Sequence, residues 1–471
     1  LIVEPRRAAR RSFFVTLSRR RMAMMDGMKG GSLLAELEQD RPDMTGSLAG
    51  DASELARYCE LGPRLLAGAG DHGERAGVHE ALRRARRDFL RRHVEGVYAA
   101  LTDGYRRTVR VEDLVFLAAD HFPGLVPTRE MIAAEREHKQ ADKEGFEIDQ
   151  GLFLSAVLDA RRPGLHLIHS MLRPKDESRK RLNELVRAGE VDLGHARVER
   201  RGATGVLELH NQRFLNAEDD EAAEALEMGA DLVLLDPSIE VGVLRGSVVQ
   251  HPRHAGLRVF NSGINLTHLY YGRISFVNFF IARELGLVAK LQRGLWMAEQ
   301  TEEGPELTEE KPWVAAVERH AIGGGCQLLL VMDRVLAEPG VRFTLPARKE
   351  GIIPGAANLR LPRFLGDRGA RQAIFFERGF TAGEPDGALL CDRVVGAGMM
   401  DEAISETAAQ LTSAGVVSAV ANRKALRVCQ EPIDDFRKYM ALYSREQALC
   451  LYSPALIRNL EEGWRAHERS L

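Results

Sequence analysis

The chain has 471 residues and a net charge of −3, with 28% charged and 45% hydrophobic residues, which is length enough for two or three domains and a sizeable core. The balanced charge excludes a global electrostatic footprint for nucleic acid or a membrane surface and leaves a small molecule or another protein as the default partner. The five cysteines are odd in number and include no CxxC pair, as expected of reduced thiols in a cytoplasmic protein, and no apolar run approaches the roughly 18 residues of a membrane span.

Residues 1–31 are rich in arginine and carry a methionine cluster at Met22, Met24, Met25 and Met28. A transit peptide shares this composition, but the stretch reads as a disordered or extraneous extension ahead of the fold. Residues 32–195 follow a helical pattern, with periodic apolar positions among charges, as in Val78-His79-Glu80-Ala81-Leu82-Arg83-Arg84-Ala85, punctuated at Pro123-Gly124 and Pro163-Gly164. His72-Gly73-Glu74 and His93-Val94-Glu95 have the spacing of part of an iron site. Such tripeptides arise by chance in a charged helical chain, no companion histidine is marked out, and no metal is expected.

From Ala196 the character changes. Gly205-Val206-Leu207-Glu208-Leu209 alternates as a strand does, and a long helix is expected over Asp219 to Leu235. A second strand, Gly256 to Phe260, ends in the turn Asn261-Ser262-Gly263-Ile264-Asn265, and an amphipathic helix is expected from Ile274 to Glu299. The apolar run opening at Trp313 then leads into His320-Ala321-Ile322-Gly323-Gly324-Gly325-Cys326-Gln327, a strand, a glycine turn and a buried helix. Three glycines in a row let a ligand approach the main chain, and amides at the helix start suit a developing oxyanion. Repeated strand, turn and helix units define an α/β domain. Residues 416–471 read as further helices broken at Pro432 and Pro454, with Tyr439 and Tyr443 as core or interface residues.

These pieces resemble the crotonase (enoyl-CoA hydratase/isomerase) superfamily over about Ala196 to Val428. The carriers, in the family's order, are Phe214-Leu215-Asn216-Ala217, Phe260-Asn261-Ser262-Gly263-Ile264-Asn265, Ile322-Gly323-Gly324-Gly325-Cys326-Gln327, Gly351-Ile352-Ile353-Pro354-Gly355-Ala356, Phe380-Thr381-Ala382-Gly383-Glu384-Pro385 and Asp392-Arg393-Val394-Val395. The resemblance implies an α/β fold with a crotonase-type ββα spiral core over 196–415, a helical N-terminal domain over 32–195 and a C-terminal helical region over 416–471. It also implies a homo-oligomer, a trimer or dimer of trimers. The family's shared device is a pair of backbone amides that binds the thioester oxygen of an acyl-CoA, and by position these belong to Ile264 and Gly324. One such donor is worth about 100- to 1,000-fold in rate.

The departures redirect the chemistry. Hydratases of the superfamily carry two catalytic glutamates, and here those positions hold Gln327 and Ala347, neither of which works as an acid or base. With this pattern, the long helical extension and Pro354-Gly355-Ala356-Ala357-Asn358-Leu359-Arg360-Leu361, the chain resembles the family of cofactor-independent dioxygenases acting on 3,5-dihydroxyphenylacetyl-CoA. These supply 3,5-dihydroxyphenylglyoxylate for the dihydroxyphenylglycine of glycopeptide antibiotics. The resemblance implies O2 as co-substrate, CoA as part of the substrate, and neither metal nor organic cofactor.

By position, Glu218, Arg283 and Gln327 would meet the ring hydroxyls or the spreading charge, while Trp313, Ile264 and Ile352 would line an oxygen pocket. His251 and Arg253 would meet CoA phosphates; Ser262, Gly263 and Asn265, with the turn Ile353-Pro354-Gly355, would hold the rest of the substrate. On the residues alone, Glu218 reads as a helix N-terminal acid and Arg283-Glu284 as a surface pair. Another crotonase-fold acyl-CoA hydratase, isomerase or thioesterase, and a non-catalytic oligomeric scaffold, remain as alternatives.

Overall fold

A computed structural model describes residues 35, 37–251, 254–297, 308–469 and 471. The arginine-rich extension and Arg253 lie outside them. The described chain divides into two compact units, one ending at Phe89 and the other running from Leu90 to Leu471. In the first, helices Leu48–Cys59 and Leu61–Gly68 precede the start of helix His72–Leu101. The buried Asp51 carboxylate accepts from the Thr45 and Gly46 amides at 2.6 and 3.0 Å, which satisfies donors ahead of the first helix while Leu55 and Tyr58 pack beneath it.

The second unit opens with helices Val111–His121, Arg129–Arg136, Glu147–Asp159, Arg161–Met171 and Asp176–Ala188. Its main sheet has seven strands in the spatial order Glu190–Asp192, Ala196–Arg201, Thr204–Leu209, Val241–Gly246, Trp313–Val317, Arg334–Ala337 and Arg393–Val394. The first three pair antiparallel and the rest parallel. Parallel neighbours require a crossover, and helix Asp220–Leu235 supplies the one between Thr204–Leu209 and Val241–Gly246. Strands covered on both faces are near-continuously apolar, and every residue of Val241–Gly246 and Trp313–Val317 is buried, the one charged side chain, Arg245, being paired with Glu318. Val243, Val314 and Ala316 face Met400, Ala403 and Ile404 of helix Met400–Thr412, whereas Leu244, Trp313 and Ala315 face the cluster containing Leu226, Ala230 and Val233.

A smaller sheet sets His320–Ile322 parallel to Arg342–Thr344, with Phe380–Thr381 antiparallel beyond it. Its first strand runs directly into the glycine turn. The expected strand at Gly256–Phe260 does not form a ladder: Val259 donates to Ser247 O (3.2 Å) and Phe260 to Glu318 O (3.1 Å), so adjacent residues serve different segments and only isolated bridges result. The helix expected over Ile274–Glu299 is instead two π-helical turns, Phe276–Ile281 and Arg283–Val288, followed by the α-helix Ala289–Arg293. It stops at Gly294, whose φ of 74° turns the chain away. Helices Val416–Gln430, Ile433–Leu451 and Pro454–Arg458 close the chain, with breaks at the two prolines as expected.

Glu431, fully buried between the first two of these helices, fastens them to the core. It accepts from Arg360 Nε and Nη2 at 2.9 and 3.0 Å, from Arg293 at 3.2 Å and from Arg363 at 3.2 Å. Burial alone would raise its pKa, but Arg360, Arg293 and Arg363 outweigh burial and lower it from 4.5 to about 2. A depressed carboxylate stabilises the fold above its unfolded pKa and loses that contribution as pH falls toward its folded one. Glu431→Gln should therefore cost on the order of 3 kcal/mol at neutral pH. It should also flatten the wild type's loss of stability between about pH 4.5 and pH 2, measured by denaturant unfolding across that range.

Candidate active site

The site is assembled by short backbone bridges. Asp219 caps helix Asp220–Leu235, its carboxylate accepting from the Ala222 amide at 3.0 Å, so Glu218, one residue earlier, is released from that task. Glu218 pairs with the Asn261–Asn265 turn: its amide donates to Gly263 O (2.7 Å), and the Asn265 amide donates to its carbonyl (2.7 Å). In such parallel pairing the residue between, Ile264, aims its own N–H to the opposite side. Asn261 O meanwhile accepts from the Ile322 amide at 3.0 Å, and Gly323 donates to Thr344 O at 2.8 Å. Gly323 then adopts φ 51°, ψ −111°, a conformation closed to other residues. Gly324 follows as the first residue of helix Gly324–Leu329, and its amide has no intrahelical acceptor.

Ile264 and Gly324 both line one cavity. The glycine turn contributes Gly323, Gly324 and Gln327; the π-helical turns contribute Phe279, Phe280, Arg283 and Glu284; the segment after Arg342–Thr344 contributes Leu345, Ala347, Glu350 and Ile352 to Gly355; and Tyr443 comes from helix Ile433–Leu451. The wider π-helical repeat brings adjacent residues of both pairs, Phe279–Phe280 and Arg283–Glu284, to the same wall, a use of π turns common at functional sites. Gly355 has φ 45°, and a Cβ there would fall 2.6 Å from Gln327 Oε1. Tyr439 donates its hydroxyl to Gly355 O, fixing that close approach.

Arg283 is the centre of the polar network. Its Nε and Nη2 donate to Glu218 Oε2 and Oε1 at 2.6 and 2.9 Å. Nη2 also reaches Gly324 O at 3.0 Å, while Nη1 donates to Glu284 Oε1 at 2.8 Å and Gln327 Oε1 at 3.1 Å. Glu218 Oε1 further accepts from Asn261 Nδ2 at 2.9 Å, and Glu284 Oε2 from the Ala356 amide at 3.0 Å. Burial opposes the guanidinium's charge, but Glu218 and Glu284 outweigh it and raise its pKa above that of an ordinary arginine. Burial, reinforced by Glu284, holds the Tyr443 phenol well above its ordinary value of 10, so it remains protonated. Burial likewise pushes the Glu350 carboxyl up to about 7, with Lys349 opposing and Glu377 adding to the rise.

Of the residues expected from sequence, Ile264, Arg283, Gly324, Gln327, Ile352, Ile353, Pro354 and Gly355 meet at the cavity wall, with Glu218 directly behind Arg283. Glu218 and Arg283 are both buried, so neither the helix-capping nor the surface-pair alternative describes them. Trp313 is not brought to the cavity: its indole lies in the sheet core over Gly242, where a Cβ would come within 2.5 Å of the ring. The Gly263 amide is consumed within its own turn by Asn261 Oδ1 at 2.7 Å and the Asn265 amide by Glu218 O at 2.7 Å, and the Ser262 hydroxyl donates to Leu215 O at 2.6 Å. His251 lies outside the cavity wall, its ring 5.6 Å from that of His254.

Sequence reasoning missed Glu284, Glu350 and Tyr443. The available signals were spacing: Glu350 lies three residues beyond Ala347, on the same face of one helical turn, and Tyr443 four beyond Tyr439. Among the described residues, no group of three or more His, Cys, Asp or Glu side chains is placed to hold a metal ion, and no helix is long and apolar enough to cross a membrane.

A pair of amides at a glycine turn, set in a spiral of ββα units, defines a crotonase, and residues 294–439 match the enoyl-CoA hydratase/isomerase family model. The (3,5-dihydroxyphenyl)acetyl-CoA 1,2-dioxygenase of Amycolatopsis orientalis is 44% identical over 431 residues, 89% of this chain and 97% of that protein. The chain belongs to the family of that dioxygenase. A probable enoyl-CoA hydratase of Mycobacterium tuberculosis is 27% identical over 249 residues, 53% of this chain and 86% of its own length. The solved structure of Pseudomonas aeruginosa OdaA, 22% identical, covers 57% of this chain and 98% of its own with a TM-score of 0.47.

Breaking a buried pair from one side leaves an uncompensated charge and costs about 3–5 kcal/mol. Glu218→Ala and Arg283→Ala should each destabilise by roughly that amount, and the double variant by clearly less than their sum. Denaturant unfolding of all four proteins checks this, with additive losses as the contrary result.

Proposed function

We propose that the protein converts 3,5-dihydroxyphenylacetyl-CoA and O2 to 3,5-dihydroxyphenylglyoxylate and CoA, with neither metal nor organic cofactor. The observation that carries this reading is one cavity lined by Ile264, Gly324 and Arg283, in which the hydratase carboxylate positions are Gln327 and Ala347. The activity of the Amycolatopsis orientalis relative supports it. Most oxygenases use a cofactor because dioxygen reacts slowly with closed-shell molecules. An arylacetyl thioester offers another route, since removing its α-proton gives an enolate rich enough in electrons to reduce oxygen itself.

The thioester oxygen sits between the two amides, which favour the enolate over the ground-state carbonyl. Arg283 stabilises charge that spreads toward the ring. Gln327 already accepts from Arg283 through Oε1, which leaves its amide nitrogen to donate to a ring hydroxyl or to the peroxide. Electron transfer to O2 and recombination form a C–O bond at the α-carbon. The distal peroxide oxygen attacks the thioester carbonyl and expels CoA thiolate. Cleavage of the O–O bond with loss of the second α-proton leaves the α-keto acid, which holds both atoms of O2. Phe279, Phe280, Leu345 and Ile352 give this chemistry an apolar wall. Assembly as a trimer or dimer of trimers is part of the same proposal, and the exposed Val417, Leu426 and Val428 of helix Val416–Gln430 suit a subunit contact.

Chelator-treated protein incubated with 3,5-dihydroxyphenylacetyl-CoA under air should release one thiol per O2 consumed, and under argon none. With ¹⁸O2, both labels should appear in the keto acid. Thiol release that is indifferent to oxygen would identify a thioesterase instead, and activity lost to chelation and restored by iron would reject cofactor independence.

A further inference from the structure

Removal of the α-proton needs a base, and the titratable side chains of the cavity wall can be taken in turn. Arg283 is a cation held by Glu218 and Glu284. Glu284 has one carboxylate oxygen on Arg283 Nη1 and the other on the Ala356 amide, so both face away from duty as an acceptor. Tyr443 stays protonated. Glu218 stands behind Arg283, its two oxygens occupied by the guanidinium and Asn261. The remaining group is Glu350, the last residue of the turn Ala347–Glu350, half-buried at the cavity wall, whose carboxylate has no hydrogen bond or ion pair among the described residues.

We propose that Glu350 is the base that removes the α-proton of the acyl-CoA. This rests on the reading of the cavity as an enolate-forming site. The α C–H bond breaks, the proton passes to a Glu350 carboxylate oxygen, and the C–H electron pair becomes the C=C bond of the enolate, whose oxygen is held by the Ile264 and Gly324 amides. The proton is available afterwards to the departing CoA thiolate. Ala347 precedes Glu350 by three residues, so the two share a face; the chain thus lacks a carboxylate at the hydratase position and carries one a helical turn further on. An unpaired carboxylate in such a wall is stable only if its charge is easily given up, and its pKa of about 7 is the value at which a base combines availability with proton affinity near neutral pH.

The charges facing Glu350 are few. Lys349 adjoins it, Glu377 lies at the end of helix Ala357–Phe376 and is itself paired with Arg348 at 3.1 Å, and Arg283, Glu284 and Tyr443 share the cavity. On the adjoining Asn459–Gly463 turn, Glu461 and Glu462 are exposed. The base must be ionised to act, so proton removal should be full above about pH 7 and fall as pH drops through that value.

The test is α-hydrogen exchange under argon, with 3,5-dihydroxyphenylacetyl-CoA in D2O followed by mass spectrometry, alongside O2 uptake in air. Wild-type protein should exchange the α-hydrogens, with a rate that declines below about pH 7. Glu350→Gln should lose on the order of 100-fold or more in exchange and in O2 uptake, and Glu350→Asp should retain part of both. Unchanged melting, and unchanged binding of the analogue with NH in place of the thioester sulfur, would show the variant's pocket intact. If Glu350→Gln fails to fold, the wild-type pH profile decides: a profile flat between pH 5.5 and 8.5, roughly 1.5 units either side of that pKa, overturns the assignment. Exchange by a folded Glu350→Gln at the wild-type rate also overturns it. Wild-type exchange without O2 uptake would reject the dioxygenase reading while leaving Glu350 as the base.

Discussion

The Glu218–Arg283 ion pair is the constraint on which the site depends. Removing two charges from water is repaid only when their remaining donors and acceptors are met, and here they are met by the parts of the chain that build the site. Glu218 also takes Asn261 Nδ2, and Asn261 Oδ1 in turn takes the Gly263 amide. Arg283 also takes Gly324 O, Glu284 and Gln327. One pair therefore ties the segment ahead of the first crossover helix to the π-helical turns and the glycine turn. The direction of the Ile264 amide follows from the Glu218 backbone bridge, and that of the Gly324 peptide from Arg283. Preorganisation of this kind, fixed before substrate arrives, is what lets two amides favour a transition state.

The same pair explains why glutamine suits position 327. Arg283 already satisfies Glu218 and Glu284, and a third carboxylate against Nη1 would add a buried negative charge with no further cation among the described residues of the cavity wall to meet it. The amide of Gln327 accepts from Arg283 through its oxygen and still offers a donor to the cavity. Gly355 presses against this group, so a side chain at 355 would displace either Gln327 or Glu284.

Much of this arrangement was legible in the sequence because it is carried by backbone. The strand, glycine turn and helix from Trp313 to Leu330, the Asn261–Asn265 turn and the helix after Asp219 all have local chemical causes, in apolar runs, glycines and a capping aspartate, and these elements form where expected. What was not legible depends on hydrogen-bond register and tertiary burial. Nothing in the pattern of Phe276 to Val288 distinguishes a π turn from an α turn, yet the wider repeat is what turns Arg283 and Glu284 inward together. Side by side in a sequence they resemble a solvated pair. Trp313 lies away from the cavity wall for a related reason: it begins a strand buried on both faces, and the pattern does not say which face meets the cavity.

The change of chemistry within this fold can be read as a change in how many proton-handling groups the cavity offers. Adding water across a double bond requires one group to activate the water and another to supply a proton, so two carboxylates must face the same substrate. Oxygenation of an enolate requires one base and then protection from protons, because an enolate that meets water is quenched before it meets O2. A wall of Phe279, Phe280, Leu345, Ala347 and Ile352 limits access of water to such an anion, and with Ala347 at the second hydratase position the proposed base Glu350 is left to hold the proton until the thiolate departs. Arg283 and the two amides stabilise negative charge without offering an acidic proton at neutral pH. On the proposed mechanism the replacements at 327 and 347 do more than abolish hydration: they lengthen the life of the anion formed there.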